Sequence, residues 1–132
     1  MIKLYSTLER SKVEFLPINP GKVGMYVCGP TTYNYIHLGN ARPIVVFDTV
    51  RKYFEYSGYE VNYVQNFTDI DDKIINSAKR EKKDPLELSA YYIQAYFEDV
   101  MKLKVKKATN HPKVSDNIPE IIVLVAKLIK NG

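Results

Sequence analysis

The segment most informative about the fold is Val23-Gly24-Met25-Tyr26-Val27-Cys28-Gly29-Pro30, an apolar run of strand length that ends at a Gly-Pro pair. Such a run, bounded by turn residues, predicts a buried β-strand. Cys28 then lies at the carboxyl end of the strand. In open α/β sheets this is the edge of the sheet at which ligands bind.

A helix and a second strand are predicted to follow this strand. The apolar residues of segment 43–56 have helical spacing, and Gly58 offers a stop. Residues 59–66 alternate aromatic or branched side chains with polar ones, which predicts a strand. Residues 23–66 therefore predict a βαβ unit, and with it an α/β fold with a Rossmann-type parallel sheet.

The flanking segments predict one domain over residues 1–132. Residues 3–6 and 13–16 suit a small hairpin, and residues 104–114 have no regular pattern. Thr68 is predicted to cap a helix whose first turn is rich in carboxylates from Asp69, Asp71 and Asp72. Two more helices are expected, from Asp84-Pro85 to about Val100 and from about Asn117 to Lys130. The last is strongly apolar and needs a covering surface.

Composition narrows the functional classes without selecting one. The 132 residues have a net charge of +4, with 19 Lys and Arg against 15 Asp and Glu, which suits a phosphate-bearing partner but does not identify it. No targeting segment and no membrane-spanning apolar run is visible, so a cytoplasmic protein is expected. Because Cys28 is the only cysteine, an internal disulfide is excluded, and a buried thiol, a nucleophile and a metal ligand all remain open.

The loop between the first strand and the helix contains His37-Leu38-Gly39. Free backbone N–H groups and the helix dipole converge on an anion at such a junction. Gly39 allows a ligand to approach the backbone, and His37 can donate a hydrogen bond to a phosphate. In isolation, however, a His-x-Gly sequence more often contains a structural histidine.

Longer motifs add a family resemblance. His37-Leu38-Gly39-Asn40 resembles the HIGH signature of class I aminoacyl-tRNA synthetases. Segments 25–31 and 66–74 are similar to those of cysteinyl-tRNA synthetases, and the likeness extends from residue 2 to residue 131. The resemblance implies a ligase that activates L-cysteine with ATP to cysteinyl-adenylate and then transfers the cysteinyl group to the cysteine tRNA.

The resemblance also implies roles for individual residues. His37 and Asn40 would be catalytic, with Asn40 replacing the second histidine of the motif, so that this position cannot become cationic. The substrate ATP, with Mg²⁺, would bind at Pro30, Thr31, His37, Gly39 and Asn40. Cysteine would bind at Cys28, Gly29, Thr68 and Asp69. Thr68 suits a helix cap equally well, and the aspartates suit a first helical turn better than a metal site.

Cys28 matches a zinc-ligand position of that family, where Zn²⁺ selects the soft thiolate of cysteine over serine. A catalytic zinc site normally has three protein ligands, and the resemblance implies that the others lie later in a longer chain, together with the lysine-rich KMSKS loop. The chain is therefore expected to be the N-terminal part of a catalytic domain, with a helical insertion starting at about residue 84. Alone it is expected to be inactive, and a monomer is favoured.

Two other functions remain open at this point. One is a ligase that joins cysteine to an amino sugar in thiol biosynthesis, which shares the cysteine and the HIGH-like motif. The other is a non-catalytic nucleotide- or tRNA-binding module.

Overall fold

The computed structural model describes residues 2–132, which form four strands, four α-helices and one 3-10 turn. In chain order these elements are β1 (Lys3–Ser6), β2 (Ser11–Glu14), β3 (Lys22–Val27), α1 (Leu38–Tyr56), β4 (Glu60–Gln65), α2 (Asp72–Glu81), α3 (Pro85–Lys102), the 3-10 turn (Ser115–Asn117) and α4 (Ile118–Asn131).

The βαβ unit predicted from the sequence is present. Strands β3 and β4 pair in parallel, from Lys22 opposite Glu60 to Val27 opposite Gln65, and α1 connects them. Because the strands are parallel, their carboxyl ends lie at one edge of the sheet, next to the start of α1. The α/β fold class with a parallel sheet is thus confirmed, and the short hairpin of β1 and β2 precedes it.

Helix α1 begins earlier than its apolar spacing predicts. It starts at Leu38 rather than at Pro43, which is the sixth residue of the helix. The reason is a capping box, in which His37 and Asn40 satisfy free backbone N–H groups before the apolar face begins. The other end is as predicted: Gly58, at φ +90°, donates to the Glu55 carbonyl in a Schellman-type stop.

The residue that caps α2 is Asp71, not Thr68. The Asp71 Oδ1 atom accepts from the Lys73 backbone N–H at 2.8 Å. The Thr68 backbone instead pairs with the segment after β3, donating to the Pro30 carbonyl at 3.2 Å and accepting from Thr32 N at 3.1 Å. The chain thus remains extended past β4, and the prediction of a Thr68 cap is wrong.

A third extended segment runs beside β4. Asn110 and Lys113 form parallel bridges with Val64 and Phe67, although the sequence has no strand pattern there. Helix α1 is attached to this segment through Arg51, which is 2% exposed and donates to the Lys107 carbonyl at 2.8 Å. The segment therefore extends the sheet and closes one side of the core.

The core lies between α1, the end of β4 and α3. It consists of Ile44, Phe67, Tyr96 and Val100, with Phe97 packed against them. Burial of each large side chain contributes about 1.5–3 kcal/mol to the free energy of unfolding. This packing fixes the first half of α1 relative to the ends of the strands.

Helix α4 lies apart from this core. All of its residues are exposed, including Ile122 at 62% and Ile129 at 77%. The sequence predicts an apolar helix that needs a covering surface, and among residues 2–132 the structure shows none that buries it. In residues 2–132, none of the helices combines the length and the hydropathy needed to cross a bilayer.

Candidate nucleotide and amino-acid site

The predicted site residues meet where β3 and β4 end. The Gly29 backbone N–H donates to Asn66 Oδ1 at 2.9 Å, and a parallel bridge joins Thr31 to Thr68. These contacts hold the two segments that leave the sheet side by side. The loop that follows β3 is thereby directed to the amino end of α1.

Gly29 is required here by the close approach of two backbone segments. A Cβ atom at this position would lie 1.6 Å from the Asn66 carbonyl oxygen and 2.8 Å from its carbonyl carbon. Neither atom belongs to a side chain that can rotate away. The sheet edge has this shape only because residue 29 has no side chain.

His37 forms the amino end of α1. Its Nδ1 atom accepts from the Gly39 N–H at 2.9 Å, and Asn40 Oδ1 accepts from the His37 N–H at 3.2 Å. Because Nδ1 is the acceptor, the proton of the neutral ring is on Nε2. His37 is exposed, so the cap presents an Nε2–H donor to a ligand.

Gly39 allows the imidazole ring of His37 to fold onto the helix start. A Cβ atom on Gly39 would lie 2.7 Å from His37 Cε1. The first turn of α1 also contains no acidic residue. The positive end of its dipole is therefore not neutralised by a carboxylate of the helix itself.

Two cavities open at this position. The first, of about 110 Å³, is lined by no charged side chain. Its lining residues are Cys28, Gly29, Pro30, Gly39, Asn40, Pro43, Ile44 and Gln65. The Cys28 thiol, exposed at the end of β3, gives this cavity a soft donor atom. Its size suits a small amino-acid side chain.

The second cavity, of about 220 Å³, lies on the other side of Pro30 and Asn40, which line both. Its lining is polar and aromatic and contains Thr31, Tyr33, Asn34, Tyr35, His37 and Lys73. The structure thus assembles seven of the predicted residues around the two cavities: Cys28, Gly29, Pro30, Thr31, His37, Gly39 and Asn40.

Thr68 and Asp69 line neither cavity. Thr68 is half-buried, and Asp69 is 3% exposed. The Asp69 carboxylate accepts from the backbone N–H and from the hydroxyl of Ser115. It thus holds the 3-10 turn, and it does not lie in the first turn of α2 as the sequence predicted.

Sequence reasoning missed several side chains beside the site. Tyr96, whose pKa is raised by burial, donates its hydroxyl proton to Gln65 Oε1 at 2.7 Å. Thr32 is buried and bonds to the buried Ser89 of α3. Tyr35 bonds to the Tyr91 hydroxyl, which raises the pKa of Tyr35 to about 12. These contacts join residues 31 to 57 positions apart, so no local pattern could have indicated them.

His111 lies under β4 in a fixed orientation. Its Nδ1 faces the Gln65 carbonyl at 2.9 Å, and its Nε2 accepts from the Ala108 N–H at 3.2 Å. Burial lowers the pKa of His111; nearby Lys107 and Arg51 lower it further, against a raising effect of the Gln65 bond. The neutral ring is therefore the form that fits the folded chain.

A complete zinc site is not formed by residues 2–132. In this part of the chain no three His, Cys, Asp or Glu side chains lie close enough together to hold a metal ion. Cys28 supplies one soft ligand, whereas catalytic zinc normally has three from the protein. The residues present do not fit the whole site, and zinc has no part in the chemistry derived from them.

A parallel βαβ unit with two cavities at the ends of its strands and a HIGH-like motif at the helix start defines the catalytic fold of a class I aminoacyl-tRNA synthetase. The family model described as tRNA synthetases class I (C) catalytic domain matches residues 14–132. The chain belongs to this family.

Curated relatives and a solved structure agree with this assignment. The chain is 66% identical over 131 residues to a cysteine–tRNA ligase of Carboxydothermus hydrogenoformans and 62% identical to that of Desulforamulus reducens. Both alignments include 99% of this chain. The chain spans only 28% of the length of the first relative and 27% of that of the second. The fold resembles Agrobacterium radiobacter K84 LeuRS in a ternary complex with tRNA and LeuAMS, with a TM-score of 0.63 and 22% identity over 76% of this chain and 13% of that one.

Proposed function

We propose that the chain is the part of a cysteine–tRNA ligase that binds ATP and L-cysteine. The observation that carries this proposal is the pair of adjoining cavities, one uncharged with the Cys28 thiol and one polar with His37. The names of the relatives that match 99% of the chain support the same activity. The reaction would take place in the cytoplasm, with the cysteine tRNA as the acyl acceptor.

The proposed reaction occurs where the cavities meet, at Pro30 and Asn40. A carboxylate oxygen of cysteine attacks the α-phosphorus of ATP, and pyrophosphate leaves with the electron pair of the broken P–O bond. A ribose hydroxyl of the terminal tRNA adenosine then attacks the carbonyl carbon, and AMP leaves. The phosphates would enter as a Mg²⁺ complex of ATP, since Mg²⁺ prefers phosphate oxygens.

His37 has the geometry of a donor to the reacting phosphates. With Nδ1 held by the Gly39 N–H, the Nε2–H is available for an oxygen whose charge grows in the transition state. The Asn40 side chain lines the same cavity, and Pro30 and Thr31 form the adjoining wall. No acidic residue of the first turn repels the phosphates.

The proposed cysteine pocket contains Cys28 and Gly29, with Thr68 behind them on the paired segment. Asp69 is left out because Ser115 occupies its carboxylate. We further propose that Cys28 is one zinc ligand in the longer ligase. In a chimera in which residues 1–132 replace the matching segment of the Carboxydothermus ligase, Cys28→Ser should lower the measured zinc content. An unchanged metal content would contradict the assignment.

The proposed function is tested with the same chimera. Cysteine-dependent exchange between pyrophosphate and ATP is expected, and His37→Ala should slow it about 10²–10³-fold, the usual effect of losing one preorganised donor. Leu38→Ile is the matched control and should keep the rate. The 132-residue chain alone should show no exchange. A chimera that folds but lacks exchange would overturn the proposal, and exchange without transfer to tRNA would favour the amino-sugar ligase.

A further inference from the structure

The polar cavity beside His37 has the composition of an anion site. Its lining includes the His37 ring, the amides of Asn34 and Asn40 and the ammonium group of Lys73, but no Asp or Glu side chain among the residues that the structure describes. An ammonium and several N–H donors without a carboxylate favour a ligand with several negative charges. The positive charge of Lys73 therefore distinguishes this cavity from the cavity beside Cys28, which no charged side chain lines.

Lys73 reaches this cavity from a different element. It is the second residue of α2 and is exposed, and its Nζ lies 5.7 Å from the centroid of the Tyr33 ring. Within residues 2–132 no carboxylate oxygen lies within salt-bridge distance of this ammonium. Neither neighbouring acid, Asp71 or Asp72, forms a salt bridge with Lys73, and Asp71 uses its Oδ1 to accept the Lys73 backbone N–H. Tyr33 thus lies beside a cation that has no ionic partner in the described part of the chain.

We propose that Lys73 is a further phosphate-binding residue of this site and pairs with the phosphate chain of ATP. This inference rests on the proposed function, because that function places ATP at His37. The amino end of α1 supplies neutral donors, and Asn40 cannot supply the positive charge of a second histidine. Lys73 supplies a full positive charge from the opposite wall, and it acts on the phosphates rather than on the adenosine.

The proposal is tested by ligand titrations of the 132-residue chain, followed through the backbone amide signals of Gly39 and Asn40. The probes are ATP, inorganic tripolyphosphate and adenosine. Lys73→Met should weaken ATP and tripolyphosphate binding roughly tenfold, as expected for one partly exposed charge pair, and should leave adenosine binding unchanged. Lys73→Arg keeps the charge and should bind within about threefold of the unsubstituted chain.

Lys79→Met is the matched control, because Lys79 is also an exposed lysine of α2. It lies about 9 Å further along the helix, at 1.5 Å per residue. Circular dichroism should show the same helix content in all variants, and Lys79→Met should bind every probe unchanged. Equal weakening by Lys73→Met and Lys79→Met would overturn the proposal, since it would indicate only a general effect of net charge.

The titrations separate failure of this inference from failure of the proposed function. Binding of ATP at Gly39 that does not respond to Lys73→Met would overturn the Lys73 assignment alone. If neither ATP nor tripolyphosphate shifts the Gly39 and Asn40 signals of the folded chain, both the nucleotide site and the Lys73 assignment are wrong. In the chimera, Lys73→Met should raise the KM for ATP more than it lowers kcat, whereas a merely structural lysine would change neither.

Discussion

Helices α1 and α2 both begin close to the end of a parallel strand, but their amino ends differ in charge. Helix α2 is capped by Asp71, which accepts the Lys73 N–H, and has Asp72 in its first turn, so two carboxylates lie at its positive end. Helix α1 is capped by a histidine and has no acid in its first turn. The two helix ends therefore differ in electrostatics: carboxylates of α2 lie at its own positive end, and no carboxylate of the first turn lies at that of α1.

The largest expected effect comes from changing the sheet edge on which both helix ends depend. Gly29→Ala should lower the free energy of unfolding by about 3 kcal/mol or more, because its Cβ would overlap the Asn66 carbonyl. Urea unfolding measures this loss. Gly24→Ala, within β3 and with no atom within 4 Å of the added Cβ, is the control and should leave the free energy of unfolding unchanged. Equal stability of the two variants would refute the close approach.

Asn40→Asp gives α1 an acid like those of α2. The new carboxylate can still accept from the His37 N–H, so the cap and the free energy of unfolding should be kept. Binding of ATP should weaken roughly tenfold, because a negative charge then faces the phosphates. Calorimetric titration of the 132-residue chain with ATP measures this change. Unaltered affinity would show that the missing acid is irrelevant to binding.

Asp71→Ala removes the internal cap of α2. The expected loss is about 1 kcal/mol in the free energy of unfolding, typical for an N-cap side chain. Thermal unfolding followed by circular dichroism measures the loss. Asp72→Asn, which changes a charge but no cap, should cost less. If the free energy of unfolding falls equally in the two variants, then the interaction of charge with the helix dipole, and not the hydrogen bond of Asp71, stabilises this end of α2.

The smallest expected effect is the change with pH in the free energy of unfolding that His111 causes. Since burial lowers the pKa of His111, the unfolded chain takes up its proton first, near pH 6.5, as pH falls. The free energy of unfolding should thus be highest above pH 6.5 and should decrease as pH falls from there toward the lowered folded pKa. Urea unfolding between pH 8 and about 5.5 should show this slope, and His111→Gln should flatten it. A persisting slope would assign the titration to another group.

Local pattern predicted the βαβ unit because apolar strands and a helical stripe are short-range signals. It failed at the two helix starts for a physical reason. Histidine is not among the usual N-cap residues, so the apolar spacing alone predicts a start at Pro43. Thr68 is a favoured cap residue, and the sequence predicts it as the cap of α2, where the extended chain places Asp71 instead. Cys28 and the HIGH-like residues His37, Gly39 and Asn40 line the two adjoining cavities.

Contacts between distant parts of the chain could not be predicted in this way. The bond between Asp69 and Ser115 spans 46 positions, and the place of Lys73 beside His37 depends on how α2 leaves the sheet. Burial and tertiary packing determine both of these contacts, and tertiary packing leaves no periodic pattern in the sequence. Residues that complete a site from a second element are therefore the ones that sequence reasoning misses.

The proline inside α1 leaves a gap in the ladder of intrahelical hydrogen bonds. Pro43 has no N–H, so the carbonyl oxygen of Gly39, four residues earlier, lacks the donor that carbonyls in the interior of a helix receive. Both residues line the neutral cavity. The segment of α1 that lines this cavity therefore has one fewer intrahelical hydrogen bond than the turns that follow it.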